Sequence, residues 1–219
     1  MAETEPTEQL TICPYGDLKL CLKTSSTSTA FLVSSHQLCY ASRVFRDLIP
    51  ESNDRRFFFS AVIDLRGLRA ATPSDSDDST VIYELDIDDK LGIDPTNMAV
   101  VLYAIHGRSE HFPETITFEK LLEIAVICEH YRCAEMMSPW DKLWMKLPEL
   151  EKLVLQPGYE DWLFIARVFG NQELFGRITK QLARNVVKTE DGKLGVMVRE
   201  EVKKMHSRLP ERPPGTYYK

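Results

Sequence analysis

The sequence predicts an α/β (α+β) chain with a small three-stranded sheet flanked by helices, followed by a helical C-terminal extension. Three observations carry this expectation. Residues 17–23 alternate polar and apolar side chains, the period of a half-buried strand. Behind Ser34 and Ser35, apolar residues return at steps of three and four, the period of a helix packed on one side. Beyond Pro148 the helical spacing recurs and no convincing strand pattern follows.

Taken in order, the first strand is Asp17-Leu18-Lys19-Leu20-Cys21-Leu22-Lys23. A turn rich in Ser and Thr, residues 24–29, leads to a second strand, Ala30-Phe31-Leu32-Val33, which closes a hairpin. Ser34 and Ser35 are natural N-caps, because a hydroxyl accepts a bond from an otherwise unpaired amide of the first turn. Leu38, Ala41, Val44, Phe45 and Leu48 then form an apolar stripe, with Ser42 placed to break it into two short helices and Pro50 to end it. An apolar cluster, Phe57-Phe58-Phe59 and Val62-Ile63, precedes a segment at about 66–80 that turns acidic and reads as an exposed insertion. Residues 81–87, rich in β-branched and aromatic side chains, form a third strand.

Asp94 caps the next helix and Pro95 opens it, where a missing amide does no harm. Met98, Val101, Leu102 and Ile105 form its stripe and Gly107 its end. Thr117 starts another helix, with Phe118, Leu121, Leu122, Ala125, Cys128 and Tyr131 on one side. Ser138-Pro139-Trp140-Asp141 looks like a further start, with Ser138 as cap, Pro139 first in the helix and Asp141 reaching back to the cap amide. Trp140, Leu143, Trp144 and Leu147 continue that helix. Three more helices are expected over 160–169, ending at Gly170, over 172–188 behind Asn171, and over 196–209. Trp162, Ile165, Ala166 and Phe169 mark an apolar face that has to be covered. Residues 1–14 and 210–219 read as tails.

Composition narrows the classes of function. Of 219 residues, 43% are hydrophobic and 27% charged, close to the averages for a folded domain. A net charge of −6 argues against bulk attraction to nucleic acid or anionic lipid. Glu3, Glu5 and Glu8 precede any Lys or Arg, the reverse of a secretory or mitochondrial leader. The apolar run at 99–105 is far short of the ~18 residues of a membrane span. Five cysteines, at 13, 21, 39, 128 and 133, are an odd and scattered set that fits reduced thiols in the cytoplasm or nucleus.

The motifs of common catalysts are missing: no G-x-x-x-x-G-K loop, G-x-G-x-x-G turn, G-x-S-x-G elbow or H-E-x-x-H pair occurs. His36, His106, His111, His130 and His206 lack local ligand spacing and read as surface or helix-end residues. Cys128-Glu129-His130-Tyr131-Arg132-Cys133 holds metal-binding residue types, yet no second donor pair accompanies it. Cys128 and Cys133 are better explained as buried thiols acting as small hydrophobes. No catalytic residue, metal or cofactor is therefore assigned. Between Arg177 and Arg208, nine basic residues face four acids. A solvated face is the simpler explanation, with weak phosphate contact as the alternative.

Asp17-Leu18-Lys19-Leu20, then Phe31-Leu32-Val33-Ser34, then Leu38-x-x-x-Ser42-x-x-Phe45 resembles the opening of a BTB/POZ domain. Leu85-Asp86-Ile87-Asp88-Asp89, Leu102-Tyr103-Ala104-Ile105-His106-Gly107 and Leu121-Leu122-Glu123-Ile124-Ala125 through Tyr131-Arg132-Cys133 are similar to its later strand and helices. The likeness covers residues 15–147, with Asp17, Leu38, Ser42, Phe45, Gly107 and Tyr131 as its structural motif residues, and is greatest to the BTB proteins of filamentous fungi. There are two departures: Ser34 stands where many relatives have His, and Ile105-His106-Gly107 where Tyr-x-Gly is usual. Only residues 10–13 could form a strand before Pro14, so the exchanged N-terminal strand of dimeric members is not expected.

The resemblance implies a non-enzymatic adaptor or scaffold that binds other proteins, with a cullin-type ubiquitin ligase or a second copy as partners. It implies neither a small-molecule substrate nor a membrane, and makes residues 148–209 a helical extension. Phe112 and Glu114 fit loosely the hydrophobic-x-acidic motif of cullin-binding members. The alternative is a transcription or chromatin regulator touching nucleic acid weakly through basic C-terminal helices. Ser74, with Asp77 three residues on, and Ser76 are candidates for phosphorylation in the acidic segment.

Overall fold

The computed structural model describes residues 8–23, 28–49, 68–70, 83–88, 92–154, 156, 161–188, 194–198 and 201–204. The expectations for residues 57–63, 72–80 and 205–219 lie outside these. The chain divides into two compact units, residues 1–113 with 127–136, and residues 114–126 with 137–219.

The first unit is built on a mixed sheet. The strands are β1 (Glu8–Thr11), β2 (Leu18–Lys23), β3 (Ser28–Val33), β4 (Leu68–Ala70) and β5 (Tyr83–Asp88), in the order β1-β3-β2-β5-β4. The β2–β3 hairpin pairs Leu18 with Val33 and Lys23 with Ser28, and β5 lies parallel to β2 with Leu18 opposite Tyr83. These are the three expected strands. Two edge strands enlarge the sheet to five. β1 runs parallel to β3, with Gln9 opposite Ala30, and the Ile12 and Cys13 amides both donate to the Leu32 carbonyl. Residues 8–11 are therefore a strand where a tail was expected, overlapping residues 10–13, the segment read as able to form one, and Ile12 is buried. β4 pairs antiparallel with β5, Leu68 opposite Leu85. Residues 68–70 thus leave the expected insertion, because strand pairing satisfies backbone groups that an exposed loop leaves to water.

Leu18, Leu20, Cys21 and Leu22 of β2 and Ala30, Phe31 and Val33 of β3 are all buried. Cys21 and Ala30 are thus buried beside residues of the opposite face, so these strands are shielded on more than the one face their alternation predicts. Gly16 enters this layer under a tight constraint. A Cβ there would stand 2.6 Å from the Val33 carbonyl oxygen and 2.9 Å from its amide nitrogen. No side chain fits between these backbone atoms.

Helices α1 (Ser35–Ala41) and α2 (Arg43–Leu48) follow β3, divided at Ser42 as the spacing predicts. Helix α3 (Pro95–Ile105) starts behind Asp94, whose carboxylate accepts from the Thr96 amide at 2.8 Å. It is buried nearly all round, Ala99, Val100 and Ala104 included, beyond the stripe that was expected. At its end Gly107 has φ +66°, the Gly107 amide donates to Ala104 and that of Arg108 to Tyr103. These two bonds form a Schellman end. Helix α4 (Phe118–Tyr131) closes in the same way at Arg132, with φ +54° and the Cys133 amide donating to Cys128.

In the second unit come α5 (Trp140–Trp144), α6 (Pro148–Glu151), α7 (Trp162–Val168) and α8 (Gln172–Asn185). Gly170 ends α7 with φ +66°, and Asn171 caps α8 through its Oδ1, which accepts from the Leu174 amide at 3.0 Å. Phe118 and Trp162 pack with ring centroids 5.3 Å apart. Trp162, Ile165 and Ala166 are buried, so that face is covered within the chain, while Phe169 is half-buried.

Three expectations need correction in this unit. The cap position of α5 is Pro139, following a cis Ser138–Pro139 bond, and no side-chain cap bond forms there, so Ser138 does not cap. Leu143 is exposed, while Trp144 is buried. The third correction concerns the C-terminal extension, which is not wholly helical. Val186–Lys188, Leu194–Val198 and Glu201–Lys204 form strands β6, β7 and β8 of an antiparallel sheet. Val196, Val198 and Val202 fit a period of two as well as the helical one, and β-branched residues favour the pleated form. The basic C-terminal stretch therefore presents no continuous helical face. Among the described residues no helix is long and apolar enough to cross a membrane.

Gly16→Ala is expected to lower stability by about 1–3 kcal/mol, the usual cost of overpacking. Urea unfolding monitored by circular dichroism measures the change, and an unaltered midpoint contradicts the constraint described for Gly16.

Candidate functional site

The side chains singled out by the sequence fall into linked groups of the first unit. Ser42 sits where α1 hands over to α2. Its amide donates to the Leu38 carbonyl, its Oγ accepts from the Phe45 amide at 3.0 Å, and its hydroxyl proton goes to the Tyr131 carbonyl. Phe45 stacks on Tyr131, rings nearly parallel at 4.6 Å. Leu38, Ser42, Phe45 and Tyr131 are all buried. One hydroxyl thus ends a helix junction and fixes it to the last turn of α4.

Asp17 forms the second group. Its Oδ1 accepts from the Ser35 amide at 2.7 Å and its Oδ2 from the Ser35 hydroxyl at 2.6 Å. The N-terminus of α1 is therefore capped by a carboxylate from the head of β2. Ser34 occupies the cap position and makes no side-chain cap bond. A carboxylate near a helix start is favoured both by the unpaired amides and by the helix dipole.

The Ser34 amide donates to His106 Nε2 at 2.9 Å, and His106 Nδ1 lies 2.8 Å from the Leu102 carbonyl. An amide can only donate, so Nε2 carries no proton and Nδ1–H is the donor to Leu102. The ring is the neutral tautomer. Burial holds its pKa below the ordinary value, against the Leu102 carbonyl, which favours the charged form; the Arg108 charge acts in the same direction as burial. His106 is 9% exposed. It is a helix-end residue as expected, but not a surface one. Asp17, Ser42 and His106 act on three junctions around α1, and Gly107 gives α3 the sharp end beside which His106 sits.

The two partner-binding candidates are placed differently. Phe112 belongs to the first unit, half-buried at the end of a 3₁₀ turn, Ser109–His111, with its amide donating to Ser109 at 3.2 Å. His111 of that turn stacks on Tyr103, centroids 4.3 Å apart. Glu114 belongs to the second unit and is exposed. Two aromatics that the sequence reading passed over stand open to solvent, Tyr15 at 95% and Tyr40 at 79% exposure. Tyr40 lies off the Leu38–Ala41 stripe, which was the signal available for it.

Cys128 and Cys133 are buried and form no disulfide, as their positions suggested. Among the described residues no three His, Cys, Asp or Glu side chains approach closely enough to share a metal ion. On α8, Arg177, Lys180 and Arg184 are exposed while Leu174, Ile178 and Leu182 are buried. This is the arrangement of a solvated basic face.

Asp141 departs most from its reading. It is 3% exposed, and its Oδ1 finds no hydrogen-bond partner among the described residues. Burial raises its pKa, and the amides of Lys142 and of Asp141 itself, with the Lys142 charge, offset only part of that.

No family model matches this chain, and no curated protein sequence is significantly similar to it.

Two pH dependences of opposite sign follow. His106 binds its proton less readily folded than unfolded, so stability falls as pH drops below the unfolded-state value of about 6.5. The stability difference between the protein and His106→Gln should shrink over that range in urea melts at pH 5 to 8, and a constant difference removes the assignment. Asp141 binds its proton more readily folded than unfolded, so its carboxylate destabilises the fold at neutral pH and the penalty fades in acid. Asp141→Asn should raise the melting temperature at pH 7 and lose that advantage towards pH 4; a lower melting temperature at pH 7 contradicts the reading.

Proposed function

We propose that the chain is a non-enzymatic interaction module of BTB/POZ type, an adaptor or scaffold that brings a partner to a cullin-type ubiquitin ligase. The observation that carries the reading is the bonding around α1. Asp17, Leu38, Ser42, Phe45 and Tyr131 are five of the six motif residues of the resemblance, Gly107 being the sixth, and each of the five contributes a cap, a stack or a buried contact at one of two neighbouring junctions. Sequence spacing shared with a family has most weight when the spaced residues meet for a physical reason.

The polar groups of this region also favour contact over chemistry. The Asp17 carboxylate and the His106 imidazole both face backbone groups, so neither points at a space where a substrate could sit. What remains outward in the first unit is a set of exposed side chains, among them Tyr15 and Tyr40. Tyrosine supplies large contact area at low entropic cost, which is why it recurs at interfaces.

The experiment is recovery of a cullin N-terminal domain on the immobilised full chain, with Phe112→Ala and Glu114→Lys beside it. Binding by the wild-type chain and loss of most of it in either variant is the expected result. Equal recovery by all three forms removes the motif, and no recovery by any form removes the cullin as partner.

A further inference from the structure

We propose that a cleft in the second unit receives a lysine or arginine side chain from a partner polypeptide whose flanking residues are acidic. The cleft has a volume of about 430 Å³ and lies between α5 and the start of α8. That is within the usual size of ligand clefts, about 300–1,000 Å³. Met145, Val154 and Leu174 give it buried apolar lining, and the buried Asp141 lines it as well.

The chemistry of this lining selects its occupant. A carboxylate withdrawn from water and short of a hydrogen-bond donor is a standing cost to the fold. A cation that enters the cleft beside Asp141 offsets that cost with a charge-assisted interaction, which is stronger than a neutral one. Lysine and arginine also carry a methylene stem that the apolar lining can cover while the charged head meets the acid. An anionic or wholly apolar ligand would leave Asp141 worse off than water does.

The rim argues for a polypeptide and against a free amine. Lys142, Lys146 and Arg177 line the opening, all exposed, against Glu151 and Glu173. The three basic side chains of the rim can pair with acidic residues on either side of the inserted one. Such alternation of charge is the complementarity that fixes register at an interface. The inference stands on the second unit alone and does not require a cullin to bind Phe112 or Glu114.

The test uses the full chain and three probes: the peptide Ac-Glu-Leu-Arg-Leu-Glu-NH2, the same peptide with citrulline for arginine, and agmatine, followed by NMR titration. The arginine peptide is expected to bind, and the uncharged citrulline peptide about tenfold or more weakly. Asp141→Asn, close in shape and expected to fold at least as stably, should reduce the arginine peptide to the citrulline level. Arg177→Glu, at an exposed position, should weaken the acid-flanked peptide while leaving agmatine unchanged or tighter, a split that a purely structural role would not produce. Absence of saturable binding up to millimolar peptide, equal affinity for arginine and citrulline, or no effect of Asp141→Asn overturns the proposal. Agmatine binding as tightly as the peptide overturns the polypeptide as its source.

Discussion

The Ser42 hydroxyl is the constraint on which the first unit turns. A helix of seven residues and one of six are each too short to persist alone, since nucleation is costly and few bonds are gained in return. Their persistence rests on tertiary contacts, and Ser42 is where these converge. Its oxygen caps α2 at the Phe45 amide and its proton satisfies the carbonyl of Tyr131, whose ring lies on Phe45. A cap alone contributes about 1 kcal/mol. Removing this one would also take a donor from a buried carbonyl and loosen the stack, so three small terms act as a unit.

Polar groups are treated in two opposite ways along the chain. In the first unit three polar side chains are matched in full: Asp17 to two donors of Ser35, His106 to one donor and one acceptor, Ser42 to one of each. His106 remains neutral because the charged ring would have to give up the Ser34 amide as well as lose solvation. Asp141 in the second unit lies at the other extreme, an acid buried to 3% exposure with one oxygen unmatched among the described residues. A fold optimised only for stability would place Asn or Leu there, and the departure is what marks the position as one with work outside the fold.

The legible parts were those with local chemistry. Asp94 with Pro95, Gly107, Asn171 and Gly170 announce helix ends by residue type alone, and all four act as read. The hairpin and the split at Ser42 followed from periodicity. What escaped were decisions taken at a distance. Capping of Ser35 by Asp17 spans 18 residues and the Ser34–His106 bond spans 72, so no window of neighbouring sequence holds them. Edge strands β1 and β4 are four and three residues long, too short for alternation to show. In residues 194–204, valines at even spacing satisfied both periods, and pairing with Val186–Lys188 decided the matter. For the candidate sites, Asp141 was read as a capping acid because its spacing from Ser138 allows it. That assignment failed because the chain enters α5 at Pro139.

Arg132 shows how the same backbone demand can be met at different expense. Gly107, Arg132 and Gly170 all take the left-handed conformation after a helix, and each is followed by an amide that reaches back five residues. Glycine adopts that conformation freely, whereas a side chain there costs of the order of 1 kcal/mol. The bond it permits at Arg132, from Cys133 to Cys128, turns the chain directly after Tyr131 and leaves Cys133 buried. Tyr131 must end its helix at that point for its carbonyl to be available to Ser42, because one turn further on it would be paired within α4. The strained residue and the serine bond are thus two sides of one requirement: the helix has to stop where the junction of α1 and α2 needs an acceptor.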